Sequence, residues 1–111
     1  MHRHAARALA TVCAAALALV VTGSEAAGGT VHTVTIDGFG FKPPSLTVKQ
    51  GDTVEWSNTD PVPHTATAND ASFDSGSIAA GASYRFTAKK KGHFDYICTF
   101  HPTMKGQLVV E

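Results

Sequence analysis

The chain has 111 residues, of which nine are Lys or Arg and nine are Asp or Glu, so its formal net charge at pH 7 is zero. This balance provides no basic stripe for binding nucleic acid, and a chain of this length has room for one small domain. With two cysteines in total, the sequence is also not a disulfide-rich secreted scaffold.

Residues 1–26 have the pattern of a secretory signal peptide. Arg3 and Arg7 precede an apolar run from Ala8 to Val21, and Ser24-Glu25-Ala26 follows as a small-residue cleavage site. We therefore expect export to the periplasm or the medium of a bacterial cell, followed by removal of these residues.

Two other interpretations of this N-terminal run are less favoured. A transmembrane anchor needs about 20 consecutive apolar residues, and the run is shorter than that. A lipid-modified cysteine is expected at the end of such a run, whereas Cys13 lies inside it. The sequence therefore predicts one mature domain over residues 27–111, without stable membrane insertion after cleavage.

The predicted elements of this domain are all β-strands. Apolar residues alternate with other residues in six short runs, at Val34/Ile36, Leu46/Val48, Val54/Trp56, Tyr84/Phe86, Phe94/Tyr96 and Leu108/Val110. Turn-forming residues such as Pro43-Pro44, Gln50-Gly51-Asp52 and Lys91-Gly92 separate the runs, and no amphipathic helical pattern of useful length occurs after the signal peptide. Short strands at this spacing predict a two-sheet sandwich or a small barrel.

Three side chains of metal-binding type follow the fifth of these runs. They are Cys98, His101 and Met104, at the spacing Cys-x2-His-x2-Met, and His64 supplies a second imidazole from earlier in the chain. Two imidazoles, one thiolate and a weak axial thioether are the ligand set of a blue copper electron-transfer site. Because these ligands suit both Cu(I) and Cu(II), we expect one bound copper ion that passes single electrons.

The alternation around Cys98 supports this interpretation. Phe94, Tyr96 and Cys98 fall on one face of a predicted strand, so the sulfur points inward with the two aromatic rings. The ligand loop is predicted to close at Lys105-Gly106, before a last strand from Gln107 to Glu111. After signal cleavage Cys98 has no cysteine to pair with, and a bound metal would protect its thiol in an oxidising compartment.

Other interpretations of these residues are weaker. Taken singly, they could be a loop histidine, a small buried cysteine and a core methionine. Zinc is the alternative metal, although it has little use for a thioether ligand. A thiol nucleophile is disfavoured because His101 lies only three residues from Cys98, with no separate orienting carboxylate, and we predict that the protein is not an enzyme. His32 and His93 lack matching partners and are predicted to be surface residues.

Four further segments carry a family resemblance together with the Cys98–Met104 loop: Phe39-Gly40-Phe41-Lys42-Pro43, Val48-Lys49-Gln50-Gly51-Asp52-Thr53-Val54-Glu55-Trp56-Ser57-Asn58, Phe73-Asp74-Ser75-Gly76 and Gly92-His93-Phe94-Asp95-Tyr96-Ile97-Cys98. In these segments the chain resembles the cupredoxins, which are small blue copper proteins, and is most similar to the amicyanins and plastocyanins. The resemblance covers about residues 31–111. It implies a Greek-key β-sandwich of two sheets, with about seven to eight strands and with copper at one end bound by His64, Cys98, His101 and Met104.

Two positions depart from the family pattern. Phe100 precedes the second histidine, where amicyanins and plastocyanins typically have proline, and Thr65 follows the first histidine, where asparagine is frequent. A threonine hydroxyl can still brace the ligand loop through a hydrogen bond.

The resemblance implies a monomeric, exported electron carrier that shuttles single electrons between periplasmic redox partners. Such partners include a c-type cytochrome or a dehydrogenase, and they are expected to dock near His101, Phe100 and Pro102. The alternative function is copper delivery or buffering in the periplasm. Exposed clusters of methionine or histidine would be more typical of a delivery protein, and the predicted mature domain has a single methionine.

Overall fold

The computed structural model describes residues 29–111, which form eight β-strands. They are β1 (Val31–Asp37), β2 (Gly40–Lys42), β3 (Ser45–Val48), β4 (Thr53–Asn58), β5 (Thr67–Ala68), β6 (Ser83–Thr87), β7 (Gly92–Ile97) and β8 (Lys105–Val110). The predicted signal peptide over residues 1–26, and the domain boundary that follows it, lie outside the described residues. Within residues 29–111, no helix is long and apolar enough to cross a membrane.

The strands form two four-stranded sheets, with the orders β2-β1-β4-β6 and β3-β8-β7-β5. β1 pairs in parallel with β4, and β3 pairs in parallel with β8, whereas the other pairs are antiparallel. Pairing between strands that are far apart in sequence is expected of Greek-key connections. The predicted all-β sandwich of two sheets, with about seven to eight strands, is confirmed.

The core lies between the sheets and includes side chains from all six alternating runs. Most of their apolar side chains are buried, and Leu46, Tyr84 and Phe86 are partly buried against the same core. Trp56 from one sheet and Tyr96 from the other meet edge to face, with 5.4 Å between ring centroids. Burial of these large rings stabilises the fold through the hydrophobic effect and joins the two sheets.

Some element boundaries differ from the sequence-based prediction. β2 and β5 have three and two residues, which is too short for an alternating pattern to reveal them. The predicted closing turn at Lys105-Gly106 is wrong, because these residues begin β8. Gly106 pairs with Tyr96, and a Cβ at Gly106 would overlap the Tyr96 ring, so this glycine permits close packing rather than a turn.

Three connections meet at one end of the sandwich. They are the β7–β8 loop over residues 98–104, the segment over residues 59–66 between β4 and β5, and the β1–β2 turn formed by Gly38 and Phe39. Hydrogen bonds and ring contacts hold the three segments together. The predicted metal-binding side chains lie at this end.

Candidate metal centre

Donor atoms of His64, Cys98 and His101 converge within 4.8 Å of one another. The Cys98 sulfur lies 3.7 Å from Nδ1 of each histidine. A tetrahedral ion with bonds of about 2.0–2.3 Å would space such atoms about 3.5 Å apart. Both sulfur–nitrogen distances are therefore close to the separation expected between two ligands of one metal ion.

The β7–β8 loop consists of two successive turns that match the spacing of the predicted ligands. His101 N–H donates to the Cys98 carbonyl at 3.2 Å, and Met104 N–H donates to the His101 carbonyl at 2.8 Å. Cys98 N–H closes the loop by donating to the Met104 carbonyl at 3.1 Å. Each predicted ligand of this loop thus stands at the end of a hydrogen-bonded turn. Met104 is buried in the same loop, with 4% of its surface exposed.

Cys98 is fully buried directly after β7, on the same face as Phe94 and Tyr96, so the predicted strand phase is confirmed. Thr65 N–H donates to the Cys98 sulfur at 3.3 Å. This hydrogen bond ties the sulfur to the backbone of the segment that carries His64.

Thr65 braces the loop, as expected for the residue after the first histidine. Its Oγ1 accepts the Thr99 N–H at 2.8 Å and lies 3.1 Å from the Thr99 hydroxyl. Thr67 donates to the same oxygen at 3.0 Å. One short side chain therefore ties the His64 segment to the residue that follows Cys98.

His64 is fully buried, and its second ring nitrogen is also engaged. Nε2 lies 2.8 Å from Oδ2 of Asp60, which is itself buried and accepts backbone N–H groups of the β1–β2 turn. The Phe39 N–H hydrogen bond is the main reason why the pKa of Asp60 lies below its ordinary value, and burial of the carboxylate opposes this shift. Asp60 was not among the site residues predicted from sequence, although an acidic residue four positions before a candidate ligand histidine was an available signal.

Phe39 contacts both histidine rings, a role that its position in the sequence did not predict. Its ring centroid lies 5.2 Å from that of His64 and 4.9 Å from that of His101, with the rings nearly perpendicular. Phe39 and Phe100 are each 51% exposed, whereas His101 is partly buried. The edge of the candidate centre is therefore lined by apolar surface.

The other two histidines of the described residues do not join the cluster. His93 is exposed, as predicted. His32 is only partly exposed, and its Nε2 lies 2.9 Å from Oδ2 of Asp52. The prediction of a surface residue did not include this carboxylate partner.

A family model described as a cupredoxin-like domain matches residues 9–110. The chain belongs to the cupredoxin-like family. Cupredoxin-like relatives include Amicyanin-alpha of Methylorubrum extorquens, which is 34% identical over 107 residues, covering 92% of this chain and 88% of the relative. Amicyanin of Paracoccus denitrificans is 34% identical over 93 residues, covering 79% and 70%. The predicted likeness to amicyanins is confirmed.

Solved structures give the same family. The Cu(I) form of an amicyanin point mutant superimposes with a TM-score of 0.68 at 34% identity, covering 79% of this cupredoxin and 88% of that chain. A copper-containing nitrite reductase from Thermus scotoductus superimposes with a TM-score of 0.67 at 34% identity, but the match covers only 22% of its chain. The fold therefore occurs both in small amicyanins and as part of a larger enzyme.

Proposed function

We propose that this cupredoxin is a mononuclear blue copper protein that carries single electrons. One copper ion would be held by His64, Cys98, His101 and Met104. The observation that carries the proposal is the convergence of two imidazole nitrogens and one thiol sulfur in a largely buried cluster. The buried thioether of Met104 in the same loop completes a donor set that suits copper better than zinc. The amicyanin and plastocyanin names of the relatives support the same function.

The bound ion would supply a one-electron change between Cu(I) and Cu(II). The chain holds the donors in place by the two turns of the β7–β8 loop, by the Thr65 brace and by the flanking strands. Ligands fixed in this way need little rearrangement when the charge of the site changes. The burial of His64 and Cys98 keeps water from the thiol sulfur.

Electrons would enter and leave at the apolar end of the molecule. His101 is partly exposed there, beside the exposed residues Phe39, Phe100 and Pro102. An exposed apolar patch allows close contact with a partner without a permanent interface. Redox proteins such as a c-type cytochrome or a dehydrogenase would dock on this patch, and the protein would act as a monomer.

The site of action would be the periplasm or the medium, after cleavage of the signal peptide. The apolar run from Ala8 to Val21 and the small residues that follow it support this proposal. The relatives named amicyanin and plastocyanin support the function of an electron carrier, and we therefore regard the protein as a carrier and not an enzyme.

The test is a visible absorption spectrum combined with a redox titration of the copper-loaded protein. The wild-type protein should show an intense blue thiolate-to-copper band and should cycle repeatedly between Cu(I) and Cu(II) without losing metal. Cys98→Ala should abolish the blue band while the far-UV circular dichroism of the sandwich persists. Thr103→Ala, at an exposed position of the same loop, should remain blue.

Two results would contradict the proposal. A Cys98→Ala variant that stays blue would exclude Cys98 as the ligand. Rapid and complete transfer of copper from the wild-type protein to a competing metal-free protein, with slow redox cycling, would instead favour copper delivery.

A further inference from the structure

We propose that Asp60 is a positioning residue that fixes both the tautomer of His64 and the turn that holds the Phe39 ring against the histidines. This role rests on the proposed function, since His64 is one of the proposed ligands. The first measurement below is nevertheless made on metal-free protein.

Three donors meet at the buried Asp60 carboxylate. Gly38 N–H donates to Oδ1 at 2.7 Å, Phe39 N–H donates to Oδ2 at 2.9 Å, and His64 Nε2 lies 2.8 Å from Oδ2. The side-chain oxygen of Asn58 accepts the Asp60 N–H at 3.0 Å and fixes the aspartate itself. An ionised carboxylate can accept all three hydrogen bonds, because it offers two oxygens with several lone pairs.

The carboxylate selects one tautomer of His64. Because an ionised carboxylate only accepts, the proton of neutral His64 lies on Nε2, which leaves the lone pair of Nδ1 free. That Nδ1 lies 3.7 Å from the Cys98 sulfur, within the cluster. The opposite tautomer would place a proton on the nitrogen that a metal ion needs. Asp60 thus prepares His64 for the metal before any metal binds.

The same carboxylate holds a turn that is sterically unfavourable. The φ angles of Gly38 and Phe39 are 59° and 57°, and turns with two positive φ angles normally use Gly, Asn or Asp at these positions. A bulky residue such as phenylalanine rarely adopts this conformation. The hydrogen bond from Phe39 N–H to Asp60 stabilises the turn, which places the Phe39 ring against His64 and His101.

Asp60→Asn is the variant that tests this role. An amide has one acceptor oxygen, so its NH2 group must face either the Gly38 N–H or the pair formed by Phe39 N–H and His64 Nε2. In the second orientation His64 must accept through Nε2, and its proton moves to Nδ1. We expect long-range 1H–15N correlation spectra of the metal-free protein to show the Nε2–H tautomer in the wild type and a large Nδ1–H fraction in Asp60→Asn. Copper affinity, measured by competition with a chelator, should fall about 10- to 100-fold.

Two further variants separate this role from a purely structural one. Asp37→Asn removes an exposed carboxylate from the same hairpin and should leave the tautomer and the copper affinity unchanged. Phe39→Gly removes the ring but keeps a residue that tolerates positive φ, so His64 should retain its Nε2–H tautomer. If Asp60→Asn alone does not fold, the tautomer can be measured for the same substitution in the Phe39→Gly background. Glycine adopts the positive φ angle readily, so this turn does not need the hydrogen bond to Asp60.

The role of Asp60 is refuted if Asp60→Asn changes thermal stability but leaves the tautomer of His64 and the copper affinity as in the wild type. Failure of the proposed function would look different. In that case the wild-type protein would bind no copper or would not turn blue, while the tautomer in metal-free protein would still report on Asp60.

Discussion

Phe39 and Phe100 are two of the three large apolar side chains that are strongly exposed within residues 29–111, and both lie at the end that carries the candidate metal centre. The third is Val31, the first residue of β1, which lies at the end of this strand that is far from Phe39. Phe100 also stands where amicyanins and plastocyanins typically have proline. It adds an aromatic ring to the surface through which His101 would be reached.

Phe100→Glu should slow electron exchange with redox partners by about tenfold or more, because a charge in an apolar docking patch must be desolvated on contact. The visible spectrum should change little, since the Phe100 side chain is exposed rather than packed among the proposed ligands. Stopped-flow oxidation by a c-type cytochrome measures the effect. Val31→Glu, with a similarly exposed apolar residue at the far end, should exchange electrons at the wild-type rate. Equal rates for both variants and the wild type would place the docking surface elsewhere.

At the scale of elements, the ligand loop over residues 98–104 is held at both ends by β7 and β8, which pair with each other. The six-residue register from Gly92↔Val110 to Ile97↔Lys105 reaches directly to the loop ends. The loop can therefore be short and fixed, provided that the strands approach closely. Gly106 allows this approach, because the inward side of β8 at this position is occupied by the Tyr96 ring.

Gly106→Ala should lower the free energy of unfolding by about 1–3 kcal/mol, the usual cost of forcing an extra carbon into a packed core. Tyr96 must move to make room, which should also disturb the nearby end of the ligand loop. Urea denaturation of metal-free protein measures the loss. Gly40→Ala is the matched control in another strand, since its added Cβ would meet only the Asp37 carbonyl, at 3.6 Å. Equal stability of the two variants would contradict this packing argument.

At the scale of the whole molecule, the carboxylate of Asp52 links the start of β1 to the turn between β3 and β4, at the end opposite the candidate metal centre. Asp52 accepts Thr30 N–H at 2.9 Å and Lys49 N–H at 3.0 Å, and its Oδ2 lies 2.9 Å from Nε2 of His32. The His32 side chain, followed by the Lys49 N–H, holds the pKa of Asp52 below its ordinary value. Each end of the sandwich thus has an aspartate that joins segments distant in sequence.

The lowered pKa of Asp52 predicts how stability depends on pH. A carboxylate whose pKa is lower in the folded state contributes stability that is present above the unfolded pKa of about 3.9 and is lost as the pH falls through the folded pKa. Asp52→Asn should therefore be less stable at pH 7 and should lose stability less steeply below about pH 4. Urea denaturation of metal-free protein at several pH values measures this. The exposed carboxylate of Asp37 provides the control, and Asp37→Asn should follow the wild-type curve. A curve for Asp52→Asn that runs parallel to the wild type would refute the prediction.

The parts of this structure that were predictable from sequence are those with local signals. Alternating runs predicted six strands, and the phase of Phe94 and Tyr96 predicted the buried position of Cys98. The roles of Asp60 and Phe39 depend on hydrogen bonds and ring contacts with segments that are distant in sequence, and such contacts leave no periodic trace in the sequence.

Trp56, the single tryptophan of the chain, sits in the middle of the sandwich with no exposed surface and with its ring against Tyr96. An indole in such dry, apolar surroundings should emit fluorescence at short wavelength and shift to the red only when the core takes up water. The blue absorption of a loaded metal centre would report on the end of the molecule that carries the ligand loop. Following both signals during one heating experiment would reveal whether the metal end opens before the core melts or together with it.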